Sequence, residues 1–303
     1  MRYEKIQPRD LEALAHLYNH RYLTGELFKD LPLVSGDFPS QQVANARIRR
    51  LIEYGYIKPF GVQGINNRIL AITKNALQPI ADWYQTDVSK LEWVKNRKHP
   101  KGAFFLNHFL LNNKFRITVQ RACRGSSIEL LDYIPEHIGT RHESGRIVAN
   151  LRDCVDDVVM GFGQVCDCPD AVMALKKGDK TALFFVEIDR NTERQYHNPA
   201  SRINKKIRFY MGYMKTGRYR AYDEAFQASF SHFRVLFVTA SDKRLQSMRQ
   251  KLSVIPDVHT NSKRFFWLTV FNEKSDVREF AADFFSSRWS SLDVEDSIDY
   301  SIA

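Results

Sequence analysis

The residues Ala182-Leu183-Phe184-Phe185-Val186 are apolar without interruption, and Glu187 and Asp189 follow at their end. An unbroken apolar strand has no wet face, so this segment requires a sheet covered on both sides, as in α/β proteins. Successive side chains of a strand point to opposite faces, which puts Glu187 and Asp189 on the same one. A further carboxylate, Asp170, opens the apolar segment Ala171 to Leu175 that comes just before.

Two accounts of these acids stand side by side. Carboxylates gathered at strand ends are the oxygen donors that a hard divalent ion takes. Alternatively, Glu187 and Asp189 pair with the basic segment that follows and fasten it to the sheet. Arg202, Lys206 and Tyr210 recur at four-residue steps, one stripe of a helix, and are the partners this second account names.

The chain of 303 residues carries 45 Lys and Arg against 35 Asp and Glu, a net charge of +10. A polyanion is therefore the expected class of partner, and the length leaves room for two domains. A hydrophobic fraction of 44% with 13% aromatic residues excludes a disordered chain. No apolar run approaches the roughly 18 residues of a spanning helix, and Met1-Arg2-Tyr3-Glu4-Lys5 begins no apolar leader, so no membrane partner and a cytoplasmic location are expected. Cys123, Cys154, Cys166 and Cys168 are too few for a disulfide framework and are expected as reduced thiols. Cys166 and Cys168 are spaced too closely for a zinc knuckle, and no zinc is expected.

Residues 1–90 predict three helices and a hairpin. Leu11, Leu14, Ala15, Leu17 and Tyr18 recur at helical spacing behind Asp10 as N-cap, and Thr24 starts a short second helix. The third runs from Ser40 to Tyr54, with Val43, Ala44, Ile48, Leu51 and Ile52 on one side and Gly55 as its stop. Ile57 to Phe60 and Arg68 to Thr73 then flank a polar, glycine-containing turn. This order resembles a winged helix-turn-helix, in which the third helix enters the DNA major groove. That likeness gives base reading to Gln41, Gln42 and Asn45 and phosphate contact to Arg47, Arg49, Arg50 and Lys58. A solvated face on a protein-contact domain is the bland alternative.

Residues 91–102 form a basic linker with Lys95, Arg97, Lys98 and Lys101. From 103 to 289 the pattern is a helix, a strand over Ile128 to Ile134, strands over Ala171 to Leu175, Ala182 to Ile188 and Val235 to Thr239, helices over Ser201 to Tyr213 and Asp242 to Leu252, and a strand over Phe265 to Phe271. This is the α/β (α+β) class, a sandwich with a mixed sheet. No glycine-rich turn seats a nucleotide cofactor. The basic helix, with Arg202, Lys205 and Arg208 and interleaved Tyr196, Tyr210, Tyr213 and Tyr219, is the expected phosphate grip of this domain, although such tyrosines are commonly half core. Residues 290–303 are acidic and expected to be a disordered tail that competes weakly for the basic surface.

With Pro169-Asp170 opening one strand and Glu187 closing the next, the second domain resembles the restriction-endonuclease-like fold of the PD-(D/E)XK nucleases. The resemblance implies Asp170 and Glu187 as ligands of Mg²⁺ or Mn²⁺, and Asp189, as the adjacent strand-end carboxylate, is the third expected ligand. The resemblance also implies a lysine at position 189, where this chain has Asp; Arg190 or Lys206 is the expected substitute. The winged-helix phrase followed by "NHFLLNNKFR", "PDAVMAL", "FFVEIDRNTER" and "KKIRFY" resembles the replication-relaxation family of plasmids and mobile elements, in which a Glu-x-Asp is followed by a Thr-Glu, matched by Glu187, Asp189, Thr192 and Glu193. What this implies is a double-stranded DNA-binding protein in replication, relaxation or mobilisation, with a homodimer as a further option. A metal-dependent endonuclease and a winged-helix transcription regulator are the alternatives.

Overall fold

The computed structural model describes residues 6–91, 102–136, 140–141, 147–149, 151–190, 202–252, 262–286, 289–292, 299–300 and 302, and the chain divides into two compact units, Met1–Arg121 and Ala122–Ala303. In the first, α1 (Pro8–His20) begins at a proline, which has no N–H to lose in a first turn. Asp10 is therefore not the cap; it lies inside the helix and accepts the N–H of Gln7 at 3.2 Å. After β1 (Leu23–Thr24), the Thr24 hydroxyl caps α2 (Gly25–Lys29) by accepting the Leu27 N–H at 3.2 Å. Ser40 caps α3 (Gln41–Glu53) in the same way, accepting from Val43 at 3.3 Å. Gly55 ends α3 with φ at +72°, and the Tyr56 N–H turns back onto the Leu51 carbonyl at 2.9 Å.

The hairpin of β2 (Ile57–Phe60) and β3 (Ile69–Ile72) follows and accepts β1, giving an antiparallel sheet in the order β1-β3-β2. α4 (Leu77–Trp83) packs on α1. α5 (Ala103–Arg124), expected to open the second domain, lies almost wholly in the first unit. Its Asn113 amide donates to the carbonyls of His20 and Tyr22, both at 2.8 Å, and Arg121 donates to those of Asp30 and Leu31 at 2.6 and 3.2 Å. These are acceptors that helices leave open at their C-terminal ends. Of the expected linker, 91–102, residues 92–101 lie outside the described residues.

The second unit begins with β4 (Glu129–Pro135) and two short hairpins, β5 (Thr140–Arg141) with β6 (Ile147–Ala149) and β7 (Asp153–Asp156) with β8 (Gln164–Asp167). Next come β9 (Ala171–Lys177), β10 (Lys180–Asp189), α6 (Arg202–Thr216), α7 (Tyr222–Phe226), β11 (Phe233–Thr239), α8 (Asp242–Leu252) and β12 (Phe266–Val270). α9 (Val277–Ala282), β13 (Trp289–Ser291) and β14 (Asp299–Tyr300) complete it. The sheet order is β14-β13-β12-β11-β10-β9-β4; β11 is parallel to both β10 and β12, and the remaining pairs are antiparallel. β10 is inner and wholly apolar at its middle, and Leu183 to Val186 are at most 2% exposed. On the face of Leu183 and Phe185, the core includes Ile203, Ile207 and Tyr210 of α6 and Leu245 and Met248 of α8.

The β7–β8 hairpin lies against α6 at Gly212, where a Cβ would stand 2.7 Å from the Asp156 carbonyl oxygen. That approach to backbone is open to glycine alone. Cys154 and Cys166 face each other across this hairpin with 4.0 Å between their Cα atoms and form a disulfide; the expectation of four reduced thiols is corrected, with Cys123 and Cys168 free. The tail is corrected as well. Leu292 is buried, Trp289 pairs with Tyr300 and Ser290 with Asp299, and an apolar residue at the head of an acidic segment explains why the sheet takes it. Residues 293–298 lie outside the described residues.

Candidate nucleic-acid interface and buried carboxylate cluster

α3 turns Ala44, Ile48 and Leu51 inward, which leaves Gln42, Asn45, Arg49 and Arg50 exposed on the other side. Lys58 of β2 is exposed too. Gln41 is half-buried, its amide donating to the Gly25 carbonyl at 3.0 Å and to Asn45 Oδ1 at 2.9 Å. Arg47 departs from expectation. Its Nε donates to Asp10 Oδ1 at 2.8 Å and its Nη2 pairs with Asp10 Oδ2, so it ties α3 to α1 and is not placed as a phosphate contact.

The basic helix of the second unit also differs from its expected role. Arg208 pairs with Asp157 of the β7–β8 loop at 2.9 Å and Lys205 is half-buried; the side chain of Arg202 lies outside the described residues. Tyr210, Tyr213 and Tyr219 are buried and belong to the core. Thr192, Glu193 and Tyr196 lie outside the described residues.

The carboxylates come together at the C-terminal end of β10. Asp170 faces it from the start of β9, its Oδ2 accepting the Ile188 N–H at 2.7 Å. Glu187 is 1% exposed; Lys206 Nζ pairs with its Oε2, and the Tyr210 hydroxyl donates to its Oε1 at 2.5 Å. Asp189 is held by α8, where Arg244 Nε and Nη2 donate to its two oxygens at 2.5 and 3.1 Å. Arg190 reaches Glu273 at 3.3 Å, away from the expected substitution for a catalytic lysine. Lys206 is the cation beside Glu187.

Asp167, at the end of β8, is a cluster member that sequence reasoning missed. Its Oδ1 accepts the Cys168 N–H at 2.9 Å, while its Oδ2 is buried and has no hydrogen-bond partner among the described residues. Burial pushes Glu187 up to about 8, with Asp170 and Asp167 acting in the same direction against Lys206. Burial works against the charge of Lys206, but Glu187, Asp170 and Asp167 outweigh it and hold that group above its ordinary range. Tyr210 is raised by burial and by Glu187 and Asp167.

As folded, this cluster does not fit the expected Mg²⁺ or Mn²⁺. Both oxygens of Glu187 and both of Asp189 already have cationic or hydroxyl donors. Among the described residues no three His, Cys, Asp or Glu side chains are grouped to hold a metal ion. Nor is any described helix long and apolar enough to cross a membrane.

The two units define a class: a helical unit with a small antiparallel sheet and an exposed basic helix, joined in one chain to an α/β unit with a mixed sheet and buried acids. A family model described as replication-relaxation matches residues 14–228, and the chain belongs to that family. Comparison with curated proteins and with solved structures found no match.

Proposed function

We propose that this chain binds double-stranded DNA in the replication, relaxation or mobilisation of a plasmid or other mobile element, and that its first unit acts as a winged helix. The observation that carries the reading is α3, whose exposed side presents Gln42, Asn45, Arg49 and Arg50 opposite its buried Ala44, Ile48 and Leu51, with Lys58 on the adjoining hairpin. Gln42 and Asn45 have the amides that read base edges, and the three cations suit phosphates. Family membership supports the same reading. The double variant Arg49→Ala/Arg50→Ala is expected to weaken binding to all duplexes and to lower the log–log salt slope by about two. An unaltered slope in a fluorescence-anisotropy titration would remove α3 from the interface and leave the protein-contact regulator in its place.

A metal-dependent endonuclease is favoured by one observation, the position of Lys206 beside Glu187. The ion pairs on Glu187 and Asp189 favour a structural role instead, and we assign the cluster to holding α6 and α8 on the sheet. Supercoiled plasmid incubated with Mg²⁺ or Mn²⁺ is accordingly expected to be retarded but uncut. Metal-dependent nicking that disappears in Glu187→Gln would restore the enzymatic reading.

A further inference from the structure

The other end of the strands that carry the carboxylates is basic. Lys180 and Thr181 start β10, Arg220 lies between α6 and α7, and the segment Ser229 to His232 leads into β11. Together with Asp223 they line a cavity of about 580 Å³. Its walls are fastened by backbone contacts: Thr181 Oγ1 donates to the Ser229 carbonyl at 2.8 Å and the Tyr219 hydroxyl to that of Ser231 at 2.6 Å. Phe230 is buried at its floor. The lining carboxylate, Asp223, accepts the Phe230 N–H at 3.1 Å. Lys180 and Arg220 are exposed, so the cavity has two available cations and several hydroxyls.

Positive charge continues past the cavity. Lys177 and Lys176 of β9 are the register partners of Lys180 and Thr181, and both are exposed, with Asp179 and Glu129 as the nearby acids. His232 is lowered by burial and then by Arg234, so Lys180 and Arg220 are the cations of the cavity, with Asp223 as its lining acid. A size within the usual range of ligand sites, cations and hydroxyls suit a phosphate ester. A free nucleotide and a DNA strand share that chemistry. The lysine row running on along the sheet end favours a repeating anion, and His232 is the one exposed ring among the described lining residues.

We propose that the cavity between Lys180 and Arg220, with Lys176 and Lys177 beside it, holds phosphates of the DNA backbone. This surface is a second anchorage for the duplex, on the α/β unit, and it rests on the DNA-binding reading of the chain. The test uses the full chain and its Lys180→Ala/Arg220→Ala variant, both titrated with one duplex at several salt concentrations. The variant is expected to bind more weakly at every salt, with a log–log slope lower by about two. Unchanged affinity and slope in a variant whose native parent binds DNA would overturn the cavity and leave the α3 interface standing. A native chain that binds no duplex would overturn both. Pyrophosphate is the second probe: if it raises the melting temperature of the native chain but not of the variant, while DNA binding is the same in both, the ligand is a free phosphate compound and the backbone assignment falls.

Discussion

Glu187→Ala is expected to cost about 3–5 kcal/mol of folding stability, because it breaks a buried ion pair from one side. Glu187 is 1% exposed and Lys206 is 6% exposed, so water does not replace the lost acceptor. The change leaves two buried donors, the Lys206 ammonium and the Tyr210 hydroxyl, without their shared carboxylate. Lys206→Met is expected to cost more, since it removes the cation that Glu187, Asp170 and Asp167 all face. The double change Glu187→Leu/Lys206→Met should recover much of the loss, as well-packed apolar replacements of buried pairs do. Urea midpoints measure the series, and a double variant no better than the worse single one would refute the pairing account.

The same carboxyl makes stability depend on pH. A group whose native value lies above its unfolded one binds its proton more tightly when folded, so its contribution is complete below the ordinary 4.5 and is lost as the pH rises through about 8. Across that interval the native protein is expected to lose urea resistance, whereas Glu187→Gln, with no proton to release, lacks this component. Equal slopes for the two proteins would show that Glu187 is already ionised at the low end.

What could be read in advance follows from how local each signal is. β10 was legible because no polar residue interrupts Ala182 to Val186, and α3 because Ser40 and Gly55 mark its ends. Lys206 and Tyr210 were legible as partners of Glu187 because four-residue spacing places both on one stripe of the next helix. Asp189 shares a face with Glu187, yet its cation comes from Arg244, separated from it by α6, α7 and β11. Only the parallel crossover to β11 brings that helix back to the strand, and no local pattern encodes it. Charge counts likewise did not tell which arginine of α3 turns inward. Arg47 does so because Asp10 of α1 meets it, while its neighbours Arg49 and Arg50 remain in solvent. The disulfide was hidden because Cys154 and Cys166 become neighbours only through the turn holding Gly161 and Gly163, both at positive φ. α5 is apolar at enough positions to suit either unit, and the polar contacts of Asn113 and Arg121 decide for the first.

Phe185→Ala is expected to lower stability by about 3–5 kcal/mol, by a different route. Its ring, 1% exposed, lies among those of Tyr210, Tyr213, Tyr222 and Phe233, with centroids 5.0–5.7 Å away. These neighbours come from the adjacent strand β11 and from the two helices α6 and α7, so none can move into the gap without leaving its own partners. Tyr210 is the shared element: its ring meets Phe185 and its hydroxyl holds Glu187, two positions along the same face of β10. Packing and charge are therefore coupled through one side chain. Tyr210→Phe removes only the hydroxyl and is expected to cost about 1–3 kcal/mol by leaving a buried acceptor without its donor. Combined with Phe185→Ala, it should depart from additivity by about 0.5–3 kcal/mol, since the loosened ring no longer aims its hydroxyl at the carboxylate. Strict additivity of the urea-derived stabilities would mean that the aromatic core and the carboxylate cluster are held independently, and that Tyr210 does not link them.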